Sequence, residues 1–170
     1  MNIIIRPYSD QDFASVTALE ESGIHESYRS AVFVRQMGEV GKETFLVAVR
    51  NNGEPVGYSI GLRVQHDCYQ AWILRLGVRE DQRRRGVGTA LLKAVTDALQ
   101  TGHTCTIRLS VSPDNQPAIR LYESQGFVQE SILPAYFGRG EDRIIMKKDP
   151  DIKISCSANS QEKSQAHDAG

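Results

Sequence analysis

The sequence predicts an α/β domain: a mixed, mostly antiparallel central sheet of about six to seven strands flanked by about four helices. Three observations carry this reading. Short β-branched and apolar runs alternate with stretches of helical apolar spacing, in the order β-α-α-β-β-β-α-β-α-β-β. An Asn51-Asn52-Gly53 turn between two apolar runs demands an antiparallel hairpin. A strand–helix–strand unit in the middle of the chain favours one parallel pair with a right-handed crossover.

The elements follow in order. Ile3, Ile4 and Ile5 form a first strand that Pro7 ends. Ser9 can cap a helix whose first turn holds Asp12, and Phe13, Val16 and Leu19 give it an apolar face up to Gly23. Residues 26–37 read as a weaker helix broken by Gly38 and Gly41. Residues 44–49 and 55–64 are the hairpin strands, and 72–78 is the next strand. A helix follows with Leu91, Leu92, Val95, Ala98 and Leu99 at helical spacing and a stop at Gly102. Residues 104–111 form a strand, 115–125 a helix closed by Gly126, and 127–132 and 143–147 the closing strands. Apolar content then falls. Residues 1–148 are expected to be one domain and 149–170 a flexible tail.

Composition narrows the function classes. The 170 residues are 40% hydrophobic and 24% charged with a net charge of −1, which suits a globular domain with no global attraction to nucleic acid or anionic membrane. Three dispersed cysteines, Cys68, Cys105 and Cys156, form no CxxC pair, so neither a disulfide framework nor a zinc site is expected, and a reducing cytoplasm is. No signal peptide or membrane-spanning run is read.

The most informative stretch is the loop of Gln82, Arg83, Arg84, Arg85, Gly86, Val87, Gly88 and Thr89 between a strand and a helix N-terminus. Free backbone N–H groups and the positive helix dipole favour an anion there, and glycines let a ligand approach the backbone closely. A phosphate or pyrophosphate is the expected guest. The alternative is an ordinary turn with solvated arginines. Neither GxGxxG nor GK[ST] at the required spacing is present, so hydride transfer and nucleotide hydrolysis lose support. A second segment runs from Asn115 through Ala118, Leu121 and Tyr122 to Gly126 and Phe127.

Together these two segments resemble the GNAT family of N-acetyltransferases. Arg83-Arg84-Arg85-Gly86-Val87-Gly88 matches the family's acyl-CoA loop, and Asn115 to Phe127 matches its N-x-x-A-x-x-(L/F)-Y-x-x-x-G-F signature. The resemblance spans about residues 3–148. It implies acetyl-CoA as cosubstrate, with the pyrophosphate on the backbone of Arg84, Arg85, Gly86, Val87, Gly88 and Thr89 and no metal. Arg83, Arg84 and Arg85 add charge toward the phosphates. Pantetheine would lie as an extra strand along Leu76, Gly77 and Val78, whose backbone would hold its amides. Val78 N–H would polarise the thioester carbonyl. Asn115 caps its helix and could reach the cosubstrate, and Tyr122, two turns on, would protonate the departing thiolate. A nucleophilic role for Cys105 is the rival, and a core position is the commoner fate of such a cysteine.

The closest pattern within the family is the subgroup that acetylates a ribosomal protein's N-terminal alanine. By that pattern Tyr136 and Phe137 would line the acceptor slot. One departure stands out: the subgroup's glutamate base is replaced by Ser110. A peptide α-amine, with pKa near 8, loses less from this than a lysine near 10.4. Glu20, Glu21, His25, His66 and Glu141 are candidate replacement bases. The expected acceptor is therefore a peptide N-terminus or a small amine, and the protein a monomer or homodimer. The alternative is a non-catalytic acyl-CoA-binding or sensing module on the same fold.

Overall fold

A computed structural model describes residues 3–21, 27–101 and 106–150. Among the described residues, seven strands form one sheet: β1 (Ile3–Pro7), β2 (Phe45–Arg50), β3 (Pro55–Val64), β4 (Asp67–Val78), β5 (Thr106–Val111), β6 (Val128–Leu133) and β7 (Arg143–Lys148). Their order is β1-β2-β3-β4-β5-β7-β6. Every pairing is antiparallel except β4 with β5. Four helices accompany them: α1 (Phe13–Glu21), α2 (Ser27–Val40), α3 (Val87–Gln100) and α4 (Gln116–Ser124). The expected mixed fold and its element order are therefore observed.

Period-2 alternation sends each strand's side chains to two separate cores. On β2, Leu46 and Ala48 join the core under α3 and α4, while Phe45, Val47 and Val49 join the one under α1 and α2. On β5, Ile107, Leu109 and Val111 face α3 and α4, which turns Arg108 and Ser110 to the α1/α2 face. The apolar stripe of α3 explains its place: Leu91, Leu92, Val95 and Leu99 are fully buried. Arg63 closes the helix end by donating from Nη2 to the carbonyls of Ala98 (2.8 Å) and Thr101 (2.7 Å).

Several boundaries differ from the sequence reading. Gly38 does not break α2, which runs on to Val40. Its role is to leave room, since a Cβ there would lie 2.9 Å from Cε1 of Tyr8. Strand β4 begins at Asp67, five residues before the apolar run, because pairing to β3 extends to Val64–Asp67. The first helix opens with a 3-10 turn, Asp10–Asp12. There the Ser9 hydroxyl donates to the Asp12 carboxylate (3.0 Å), which also accepts the Ser9 N–H (2.9 Å). Arg6 forks onto the same carboxylate at 2.7 Å on both oxygens and ties β1 to this turn. The stops expected at Gly23 and Gly102, the strand start at Thr104 and Cys105, and the tail over 151–170 lie outside the described residues.

Candidate active site

Strand β4 carries an extra residue. Ile60 of β3 pairs with Arg75, but Gly61 pairs with Ile73, so Leu74 bulges out of the ladder. A bulge bends and twists its strand. The parallel pairing of β4 to β5 runs only from Gln70–Thr106 to Ile73–Leu109 and stops at this point. Beyond it, residues 74–78 of β4 and residues 110–111 of β5 are no longer paired with each other. The result is a splay whose β4 edge, including Leu76, Gly77 and Val78, has no strand partner on that side. An unpaired edge offers backbone donors and acceptors to an added strand-like ligand.

The basic loop stands at the head of this splay. Arg84 (φ 58°) and Gly86 (φ 82°) have left-handed backbones on either side of Arg85. This alternation turns successive N–H groups toward one concavity. Val87, Gly88 and Thr89 then form the first turn of α3, where N–H groups have no intrahelical acceptor. Gly86 has open space around it, so its glycine answers to φ alone. Gly88 ties the elements together. A Cβ there would lie 3.3 Å from Leu121 Cδ2 of α4, 3.7 Å from Val78 Cγ2 and 3.9 Å from Leu76 Cδ2 of β4. Loop, splay and α4 therefore meet at one place.

The individual residues divide. Arg84 and Arg85 are exposed at the loop. Arg83 points back, its Nε donating to the Val78 carbonyl at 3.1 Å, so it clamps the loop onto the end of β4. Gly77 is glycine for a reason on the opposite face: a Cβ would lie 2.5 Å from the ring of Tyr58. Asn115 caps α4, its Oδ1 accepting the Ala118 N–H at 3.2 Å. Tyr122 is 9% exposed and packs edge-on to Phe127, with ring centroids 6.1 Å apart. Its hydroxyl has no protein partner among the described residues, yet is not one of the sealed polar atoms. Burial pushes its pKa up to about 12, so it stays protonated at neutral pH.

On the α1/α2 face the splay is flanked by Leu74 and Arg75 of β4 and by Ser110 of β5. Of the candidate replacement bases, Glu20 is buried, accepting from the Tyr58 hydroxyl and from Arg75 Nε at 2.9 Å. His66 sits at the β3–β4 turn, the far end of β4 from the splay, roughly 30 Å away along the strand. Glu141 pairs with Arg143 at 2.7 Å. Glu21 is half-buried at the end of α1, and His25 lies outside the described residues. Tyr136 and Phe137 lie in the β6–β7 connection, 44% and 60% exposed, as an edge-to-face pair with Arg143 over the Phe137 ring. The bulge at Leu74, the inward clamp of Arg83 and the Glu20–Tyr58–Arg75 cluster have no local sequence signal, because each depends on pairing between distant segments.

Known proteins resemble this chain in sequence and in fold. The family model for the acetyltransferase (GNAT) family matches residues 8–127. The chain is 30% identical over 146 residues to an N-alpha-acetyltransferase of Sulfurisphaera tokodaii, covering 79% of this chain and 86% of the relative. It is 40% identical over 99 residues to the ribosomal protein bS18 alanine N-acetyltransferase of Escherichia coli, covering 56% and 64% of the two chains. The crystal structure of Ard1 from Thermoplasma volcanium superposes with a TM-score of 0.78 at 30% identity, covering 88% of this chain and 98% of that one.

Proposed function

The chain belongs to the GNAT family of acetyltransferases and is an acetyl-CoA-dependent N-acetyltransferase; from that premise we propose that it acetylates the α-amine of a peptide N-terminus, with Tyr122 as the acid that protonates the CoA thiolate. The observation that carries this reading is the convergence of the splay, the α3 N-terminus and α4 around Gly88. The residues fit acetyl-CoA. The loop backbone from Arg84 to Thr89 would hold the pyrophosphate without a metal, and the unpaired edge of Leu76, Gly77 and Val78 would pair with pantetheine.

The step is a direct transfer. The neutral amine attacks the thioester carbon, and the carbonyl oxygen gains charge that the Val78 N–H stabilises. The C–S bond then breaks, the electron pair leaves on sulfur, and the Tyr122 proton neutralises it. The new amide nitrogen releases its extra proton to water. A buried phenol with pKa about 12 remains protonated for this role, and its lack of a hydrogen bond to the described residues leaves it free to donate. Ser110 in place of a carboxylate supports an acceptor that is appreciably neutral by itself, which an α-amine with pKa near 8 is and a lysine is not. The relatives' names, an N-alpha-acetyltransferase among them, support the same acceptor.

A CoA-release assay over peptides with varied free N-termini, amino acids and polyamines tests the reading. Turnover with free-N-terminus peptides is expected. Tyr122→Phe should lose about 100-fold or more in kcat while acetyl-CoA binding stays within about twofold. Acetyl-CoA binding without CoA release from any acceptor would favour a sensing module instead.

A further inference from the structure

One charged group near the splay is built with more support than its exposure requires. Arg75 follows the bulged Leu74 and projects to the α1/α2 face, where its guanidinium is held by three elements. Its Nε donates to Glu20 of α1 at 2.9 Å, its Nη1 donates to the Leu74 carbonyl at 2.9 Å, and its Cζ lies 4.8 Å from the ring centroid of Phe33 of α2. Glu20 is fixed in turn by the Tyr58 hydroxyl. The Arg75 side chain is nevertheless 40% exposed, against 4% for Glu20. Its Nη2 has no protein acceptor among the described residues.

The other guanidinium groups on this face of β5 and β7 are committed. Arg108 uses all three nitrogens, forking onto Glu130 and donating to Gln70. Arg143 holds Glu141 and the Asp142 carbonyl. Arg75 alone of these three presents a spare, oriented pair of N–H groups, and it stands on the stretch of β4 past its last pairing with β5, on the sheet face that Ser110 also faces. A guanidinium pinned in this way loses little freedom when it binds, and its fork matches a carboxylate.

We propose that Arg75 is a specificity-determining residue that recognises a carboxylate beside the acceptor's amine. The acceptor class would be a primary amine with an acidic group within a few ångströms. Two sources share this chemistry: a peptide whose first or second residue is Asp or Glu, and a free amino acid through its α-carboxylate. The proposal rests on the α-amine transferase reading above.

The test is an acceptor series in which acid is exchanged for its amide: peptides with Asp or Asn, and Glu or Gln, at positions one and two, and amino acids with their carboxamides. The readout is the ratio of kcat/KM for acid over amide, which does not depend on the fraction of active protein. The wild type should give a ratio of about 10 or more, arising in the acceptor KM, as a charge-assisted hydrogen bond supplies. Arg75→Gln should bring the ratio to within about twofold of one, with the acetyl-CoA KM unchanged. Arg75→Lys keeps the charge beside Glu20 but not the fork, and its ratio should fall well below the wild type. Acid preference confined to peptides assigns an acidic side chain, and preference confined to amino acids assigns the α-carboxylate. Turnover with a wild-type ratio near one, or a high ratio that survives both variants, overturns the proposal. Absence of turnover on every acceptor overturns the transferase reading and this inference with it.

Discussion

Among single residues, Tyr122 bears the proposed chemistry, and it does so through what it lacks. Its ring is buried against Phe127, and its hydroxyl has no described protein partner. Burial raises its pKa to about 12. The sign is simple: a phenol with a raised pKa stays protonated, and able to donate, at every pH below that value. The pH profile should therefore have one controlling limb in the accessible range. We expect kcat/KM for a peptide acceptor to rise as the α-amine deprotonates, near pH 8, and to stay level to about pH 10. Stopped assays across that range check it, and a fall setting in before about pH 10 would remove Tyr122 as the acid. The signature around Tyr122 is legible in the sequence because its spacing is local. Arg83 is legible only as a charge. Its inward bond to the Val78 carbonyl follows from how the loop folds back onto β4, and no residue type announces that.

At the scale of elements, the loop entering α3 and the bulge in β4 make the site. Gly86 sits at φ 82° with no atom within 4 Å of where a Cβ would stand, so Gly86→Ala strains the backbone without a clash. Gly53, in the β2–β3 turn at φ 81°, is equally open and remote from the loop. Both alanine variants should lose about 1–2 kcal/mol of stability by urea titration. Only Gly86→Ala should weaken acetyl-CoA binding, by about tenfold or more; equal binding in the two variants would contradict the loop assignment. Strands, helices and their order are readable because each has its own periodicity and punctuation. The splay is not. It needs the register of β3 against β4 and of β4 against β5, and the extra residue at Leu74 looks like any other apolar residue in the Trp72–Val78 run. Gly38 reads as a helix breaker for a related reason. Its meaning depends on Tyr8, far earlier in the chain, whose ring occupies the space a side chain would need.

At the scale of the whole molecule, ion pairs join the sheet's outer strands to the rest. Arg6–Asp12 ties β1 to the turn before α1, and Arg108–Glu130 ties β5 to β6. Burial pushes the Asp12 carboxyl upward, but hydrogen bonds from Arg6 and Ser9 outweigh it and leave the pKa below its usual value. Glu130 is lowered chiefly by its hydrogen bond from Arg108. Carboxylates lowered in the fold contribute stability that is present above their unfolded pKa values, near 4, and is lost as pH falls through the folded values. The urea midpoint should therefore drop below about pH 4, and Arg6→Met should flatten part of that drop. A midpoint independent of pH down to about 3 would contradict these pairings. Acetyl transfer to an α-amine across the splay is tested by locating the acetyl group. A peptide with a free N-terminus and one internal lysine is incubated with acetyl-CoA and the protein and sequenced by tandem mass spectrometry, beside a copy with a blocked N-terminus. Acetyl is expected on the α-nitrogen alone, with the blocked peptide unmodified; acetyl on the lysine of the blocked peptide at a comparable rate would rule out an α-amine transferase.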